Sequence, residues 1–377
     1  MTLDAAGNWP PERALVRALV ARGHEVRVLS HEAHHRDVVA AGAQFRSHDR
    51  DLERDPAVRR DETPEAEMAR VFQEVFLNRR YAEALLAEVR SYAPDVLLVD
   101  QMLLMAAAAA ESTRLPTALL WHTVFGGTSE RTPMPSALLE PLNAYREQLG
   151  LVRIADRFAA AAKADAIVAF THEAFDVVPT ERPKQLHYVG PFFEPSGMAT
   201  PRDLPWRPDD PRPMVLVSYS TSFQNQVSVL QRVADAVAEL PVQVVMMLGP
   251  ISPDELRLPS NVAARAFVDH RLVMGPAQLV VTHAGHGTVM AAATIGVPMV
   301  CTPMGRDQHA VAACVAHRGL GVVVPATASS QELKAAIERA LADGALRARA
   351  QAFAAALDPV ASYRRAIDVI ERLGSGT

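Results

Sequence analysis

Lysine, cysteine and excess charge of one sign are all scarce in this 377-residue chain, and each shortage removes a class of protein. Two cysteines, Cys301 and Cys314, can build neither a disulfide framework nor a four-thiolate zinc site. Such sparse use fits a reducing, cytoplasmic setting. No run of about 18 apolar residues occurs, so no membrane span is expected, and the first 30 residues lack a basic-then-apolar export signal. A net charge of −5 and a pI near 6.2 argue against a general nucleic-acid binder. Lys163, Lys184 and Lys334 are the only lysines among 38 basic residues, a bias that suits a GC-rich genome better than any arginine-specific chemistry. No Gly-x-Gly-x-x-Gly follows the first strand, which removes the dinucleotide-binding dehydrogenases.

What is present is ordinary globular composition, 49% hydrophobic and 21% charged, in 40.8 kDa of chain. That length predicts two domains of about 150–200 residues each. Strands alternate with helices, the pattern of parallel sheets. Strands are expected at 25–30, 95–100, 115–121 and 166–170, with an apolar helix at 12–22 and a long helix beginning near Glu65. Between Glu194 and Pro213 six prolines interrupt any periodicity, which reads as a linker. A second series follows, with strands at 214–218, 242–248, 279–282 and 299–302, a helix near 229–238, and Ala/Arg-rich helices broken at Gly344 and Pro359. The expected division is 1–193, a linker at 194–213, 214–355, and a terminal helix at 356–377. Two doubly wound domains face their strand ends toward a shared cleft, where ligands bind.

The richest stretch starts at the strand end Leu279–Thr282. His283-Ala284-Gly285-His286-Gly287-Thr288 follows, then a helix from Val289 to Ile295. The glycines permit close backbone approach, and the helix start aims unpaired N–H groups and its positive dipole end at the same point. Such a turn receives phosphate, with His283 and Thr288 adding side-chain donors. Alone, a Gly-x-Gly turn is as well explained by packing. Its continuation is more informative: Gly296-Val297-Pro298, Pro303, Asp307-Gln308 and Gly319-Leu320-Gly321.

This ordered series resembles the donor-binding signature of the GT-B nucleotide-sugar glycosyltransferases of family 1, which include the bacterial macrolide and antibiotic glycosyltransferases. The segment from Gly7-Asn8-Trp9-Pro10-Pro11 to Arg22-Gly23-His24-Glu25-Val26 is similar to the family's first loop and helix, so the resemblance covers nearly the whole chain. It implies an α/β fold of two Rossmann-like domains, the C-terminal one holding the donor. His283, Gly285, Gly287 and Thr288 would hold the diphosphate, and Asp307 and Gln308 the sugar hydroxyls. Ser218, Ser220 and Thr221 match the family's Ser-rich phosphate loop, and Val268 stands where the backbone grips the nucleobase. Trp9, Trp121 and His122 are the acceptor-side candidates, and the final helices would cross back onto the N-terminal domain. The implied reaction is inverting transfer from a dTDP- or UDP-linked sugar to a small apolar natural product such as a polyketide or macrolide. No metal and no cofactor beyond the nucleotide-sugar co-substrate are implied, and the state is monomer or homodimer.

Three departures stand out. The family's catalytic His after the first-loop Gly is Asn8, an amide that cannot accept a proton. Asp100, the partner carboxylate, or Asp4 would then act as base, with His122 behind them. Ala291 replaces the Glu that pairs with ribose hydroxyls in UDP-sugar enzymes, which favours a dTDP-deoxysugar, whereas Asp307-Gln308 favours a hydroxyl-rich one. Met1-Thr2-Leu3 is short for a central strand: either the true start lies upstream or the strand is truncated. Two other classes stay open. A catalytically impaired nucleotide-sugar binder is consistent with Asn8, and His31-Glu32-Ala33-His34-His35 satisfies the zinc-hydrolase pattern HExxH. Asp49-Arg50-Asp51 is an acidic pair that follows no apolar strand, so it reads as solvated loop. The transferase reading requires residues 283–288 to face the N-terminal half across a cleft.

Overall fold

Residues that alternate between apolar strand and amphipathic helix assemble into two lobes, each with a parallel sheet covered by helices. The computed structural model describes residues 1–3, 7–48, 63–126, 135–177, 182–192 and 206–375. Asp4 and residues 49–51 lie outside the described residues, as do 194–205 of the expected linker.

The N-terminal lobe carries β1 (Arg27–Ser30), β2 (Gln44–Ser47), β3 (Leu97–Asp100), β4 (Thr117–Trp121), β5 (Ala166–Ala169) and β6 (Leu186–Tyr188). β1 pairs with β2, and β3 to β6 form a second parallel ladder. Residues 1–3 sit between the two. Thr2 N donates to Leu29 O at 3.1 Å, Asp100 N donates to Met1 O at 3.1 Å, and Met1 N donates to Leu98 O. Short as it is, this stretch supplies both neighbouring strands with partners, as the inner position of a ladder demands. Trp9–Ala21 forms the first helix, with Pro10 and Pro11 in its first turn, where missing N–H groups cost nothing.

The C-terminal lobe carries β7 (Met214–Ser218), β8 (Gln243–Met247), β9 (Val262–Arg265), β10 (Ala277–Thr282), β11 (Met299–Cys301) and β12 (Gly321–Val323). Their order is β12-β11-β10-β7-β8-β9, all parallel. β7 is buried at every position, as a strand covered by helices on both faces must be. Chain order reverses between β7 and β10, so the crevice beyond Ser218 and Thr282 is this lobe's topological switch point.

The helix Pro359–Ser375 leaves the second lobe and packs on the first. Its Ala366, Val369 and Ile370 share a core with Ala14, Leu15 and Leu19 of the first helix and with Val168 and Phe170. At the rim, Glu371 pairs with Arg22 and His24. Among the described residues no helix is long and apolar enough to cross a membrane. Cys301 and Cys314 are free and buried, and burial raises their thiols to about 12 and about 11.

Two expectations need correction. The long helix near Glu65 is interrupted: Pro64–Val71 runs into a π-type turn at Phe72–Phe76, and a new helix, Arg79–Tyr92, starts where Asn78 caps the N–H of Arg80 at 3.1 Å. The HExxH segment is not one helix either. His31 caps a 3₁₀ turn at Glu32–His34 and the α-helix begins only at His35. His34 turns inward to stack on Trp9, ring centroids 4.2 Å apart, and His35 lies outside on Phe45. The two zinc-pattern histidines therefore never share one helical face, and the metal-protease geometry is absent.

Gly321 shows how tightly the second sheet is drawn together. A Cβ there would lie 2.3 Å from Met299 O and 2.8 Å from Val315 Cγ1. Gly321→Ala should lower stability by about 1–3 kcal/mol through overpacking, seen as a lower urea midpoint at unchanged m.

Candidate active site

The switch point gathers most of the residues that carried the sequence argument. Ser218 ends β7 opposite Thr282 in register. His283 follows, buried, its ring stacked on Tyr219 at 5.7 Å between centroids. Tyr219 in turn bonds the Thr302 hydroxyl. Ala284 takes a left-handed φ of 67°, which swings the chain from strand to helix. The helix begins at His286, three residues before the expected Val289, with Gly285 as its N-cap. Gly285 is needed for space and not for backbone freedom. Its φ is −61°, but a Cβ would lie 2.6 Å from His283 Nε2. Gly287 opens onto free space, so the first N–H groups of the helix remain approachable.

Ser220 Oγ accepts from Ser222 N at 3.1 Å and from Gln224 Nε2 at 2.7 Å. Thr221 beside it is exposed. Gln224 Oε1 takes a bond from Gln308 Nε2 at 2.7 Å, while Gln308 Oε1 accepts from Met304 N at 2.8 Å. The serine loop and the Asp307-Gln308 loop are thus one hydrogen-bonded frame. Gln308 is buried within it, and Asp307 alone of the pair reaches the cleft. Val268 is half-buried against the sheet, next to Phe267, whose ring is 71% exposed.

The Asp307 loop and the 283–288 turn face the N-terminal lobe. Thr123 Oγ1 donates to Asp307 Oδ2 at 2.6 Å, and Thr171 Oγ1 bonds His286 Nε2. Burial lowers His286 to about 4, so it stays neutral. The 283–288 turn therefore does look across a cleft.

On the N-terminal side Asn8 Nδ2 donates to Asp100 Oδ2 at 2.7 Å, and Met102 N donates to Oδ1 at 2.7 Å. Asp100 is fully buried. His122 lies 3.6 Å from Asp100 and 3.0 Å from Glu12. Trp121 lies under the Arg157 guanidinium, 4.4 Å from ring centroid to Cζ. Burial lowers Arg157 to about 10, although Asp307 and Asp100 oppose this. Trp9 does not face the cleft: it is buried against His34, its Nε1 donating to Asp37 at 3.0 Å. Its helix turns that face toward the neighbouring helix, which removes it from the acceptor side. A cavity of about 300 Å³ opens beside the cluster, lined by Gln101, Leu104, Trp121, Leu142, Ile154 and Arg157.

Sequence reasoning missed Glu12, Thr123, Thr171, Gln224 and His286. Thr123 and Thr171 each stand two residues past a strand end, the place where cleft residues are expected. Glu12 carried no signal, because a carboxylate early in a helix reads as a dipole partner.

Comparison with known proteins fits this geometry. Residues 231–370 match the family described as Erythromycin biosynthesis protein CIII-like, C-terminal domain. 4'-demethylrebeccamycin synthase of Lentzea aerocolonigenes is 26% identical over 418 positions, covering 99% of this chain and 98% of that protein. Among solved structures, the glycotransferase of kitacinnamycin superposes with a TM-score of 0.81 at 23% identity, covering 98% and 97% of the two chains. The glycosyltransferase VinC in complex with dTDP gives 0.72 at 20% identity, covering 100% and 98%.

The crowding at Gly285 yields a test. In Gly285→Ala the backbone keeps its φ and the imidazole of His283 must move. Apo melting should stay within a few degrees of wild type, while the stabilisation conferred by a saturating nucleoside diphosphate, about 2.7 kcal/mol at a hundredfold excess over Kd, should vanish in a thermal-shift assay.

Proposed function

The chain belongs to the GT-B glycosyltransferases of family 1, of the antibiotic-biosynthesis type, and on that footing we propose that it transfers a deoxysugar from a dTDP-linked donor to a small apolar acceptor with inversion. The observation that carries this reading is the switch-point cradle. His283, the serine loop and the start of the His286–Ile295 helix converge there, facing Thr123 and Thr171 of the other lobe. Helix N–H groups and the dipole favour the diphosphate as it departs, and Ser220, Thr221, Gly287 and Thr288 border the same turn. Since these donors spread the leaving charge, the proposed mechanism invokes no metal.

The donor preference rests on two residues. Ala291 offers nothing to ribose hydroxyls, and a thymidine donor lacks the 2′-hydroxyl and loses least by it. Gln308 is tied to Met304 and Gln224, which leaves Asp307 to meet the sugar and suits a donor with fewer hydroxyls. VinC, similar in fold, was crystallised with dTDP. Val268 borders the region proposed for the base. The cavity walled by Leu104, Trp121 and Leu142, with Gln101 and Arg157 among its polar lining, is proposed as the acceptor side. The acceptor oxygen attacks the anomeric carbon from the face opposite the diphosphate. Proximity and leaving-group stabilisation supply the larger part of the rate. The division into an acceptor lobe, 1–193, a donor lobe, 214–355, and a returning helix, 356–377, is proposed with it.

dTDP should raise the melting temperature more than UDP at equal concentration; a larger shift with UDP reverses the donor assignment. His283→Ala should cut kcat about 10²–10³-fold, the cost of one donor to a leaving oxyanion, with apo melting unchanged. Full activity in that variant removes the cradle from the mechanism.

A further inference from the structure

Asn8 leaves the site without the histidine that would take the acceptor's proton, and the structure places another imidazole beside it. His122, at the end of β4, is 7% exposed and stacks on Phe170 with centroids 5.0 Å apart and planes 29° apart, which fixes its ring. Its Nε2 lies 3.0 Å from Glu12 Oε1. Glu12 sits one helical turn past Asn8 and is buried; its second oxygen accepts from the Thr2 hydroxyl. Asp100 is already committed, one oxygen to Met102 N and the other to Asn8 Nδ2. Nδ1 of His122 is buried and has no hydrogen-bond partner among the described residues. The next residue, Thr123, bonds Asp307 across the cleft. A buried carboxylate facing a buried imidazole is costly unless the two serve each other.

Resting on the transferase reading, we propose that His122 is the catalytic base, taking the acceptor proton on Nδ1, and that Glu12 is the positioning residue that holds Nε2–H and balances the imidazolium. The acceptor O–H bond breaks as its oxygen bonds the anomeric carbon. The proton passes to Nδ1, and the electron pair of the broken C–O bond leaves with the nucleoside diphosphate. Nothing is oxidised or reduced. Asn8 and Asp100 orient the pair from the side.

The electrostatics agree. Burial pushes Glu12 up to about 7 against its hydrogen bond with His122. Burial would lower His122, but the bond to Glu12 and the charges of Asp100 and Glu12 carry it above its usual value. The other titratable groups facing the pair are Asp100 from β3, the Met1 amino group from residues 1–3 and the neutral His286 from the opposite lobe, with Arg157 acting on Asp100.

The deciding experiment is a histidine NMR titration of the full chain, with His122 assigned by its loss in His122→Asn. Its midpoint should lie at or above the ordinary histidine value and fall by about one pH unit in the isosteric Glu12→Gln. A midpoint unmoved by that change overturns the proposal. If Glu12→Gln does not fold, a His122 that stays neutral down to about pH 5 in wild type overturns it instead. With dTDP-glucose and two phenol probes, His122→Asn should lower kcat about 10²-fold or more for 2-naphthol, yet only a few-fold for the more acidic 4-nitrophenol. An equal loss on both marks a structural role and refutes the proposal. A divalent metal that survives dialysis in wild type and is lost in His122→Asn refutes it too, since Nε2 would then be a ligand. A wild type with no thermal shift from either dTDP or UDP sinks the transferase reading and this proposal together. A His122→Asn variant with normal dTDP shift and normal transfer sinks this proposal alone.

Discussion

The register of β10 against β7 is the constraint on which the site depends. Thr282 pairs with Ser218 at the point where strand order reverses. Two loops therefore leave neighbouring strand ends in opposite directions and open a crevice between them. The cradle proposed for the diphosphate hangs from those two ends: His283 and the helix at His286 from one, Ser220 and Gln224 from the other. A shift of one residue in that pairing would turn His283 toward the opposite face of the sheet, with no cradle left to fill.

Polar contacts across the cleft turn two lobes into one site. Thr123 holds Asp307, Thr171 holds His286, and Arg306 pairs with Glu67. Val124 and Phe175 of the first lobe pack into the core of the second. The Pro359–Ser375 helix binds the lobes from behind. These bonds occupy groups proposed to meet a donor sugar. Entry of a donor exchanges protein hydrogen bonds for ligand ones, an exchange with a small net cost. Of these groups Thr123 and Thr171 are buried, and buried, partnered polar groups fix geometry more than they add stability.

On the acceptor side, buried carboxylates are crowded around one imidazole. Asp100 is satisfied by Asn8 and Met102, and Glu12 by Thr2 and His122. Replacing the expected histidine by Asn8 converts a proton acceptor into a donor for Asp100. The neighbouring His122 is left as the imidazole packed against the two carboxylates. Trp9 follows the same logic of local packing. Its indole is stacked on His34 and bonded to Asp37, so a residue beside the site serves the lobe interior.

The α/β class, the two lobes and the places of the turns after Ser218 and Thr282 were legible in the chain because they depend on local chemistry. Apolar runs of four to six residues make strands, Gly and Pro bound them, and a strand followed by Gly-rich turn and helix makes an anion site whatever surrounds it. The interrupted helix after Glu65 and the 3₁₀ turn at Glu32–His34 escaped, because caps and inward stacking override periodicity there. Glu12, Thr123 and Thr171 escaped for a different reason. Each matters through a partner 48 to 184 positions away in the chain, and no local pattern encodes such distances. Sequence alone determined which segments would become strands and which turn would start a helix with its N–H groups open; only the tertiary structure decided which side chains would pair, because that depends on where strands β3 and β4 bring their ends against the first helix.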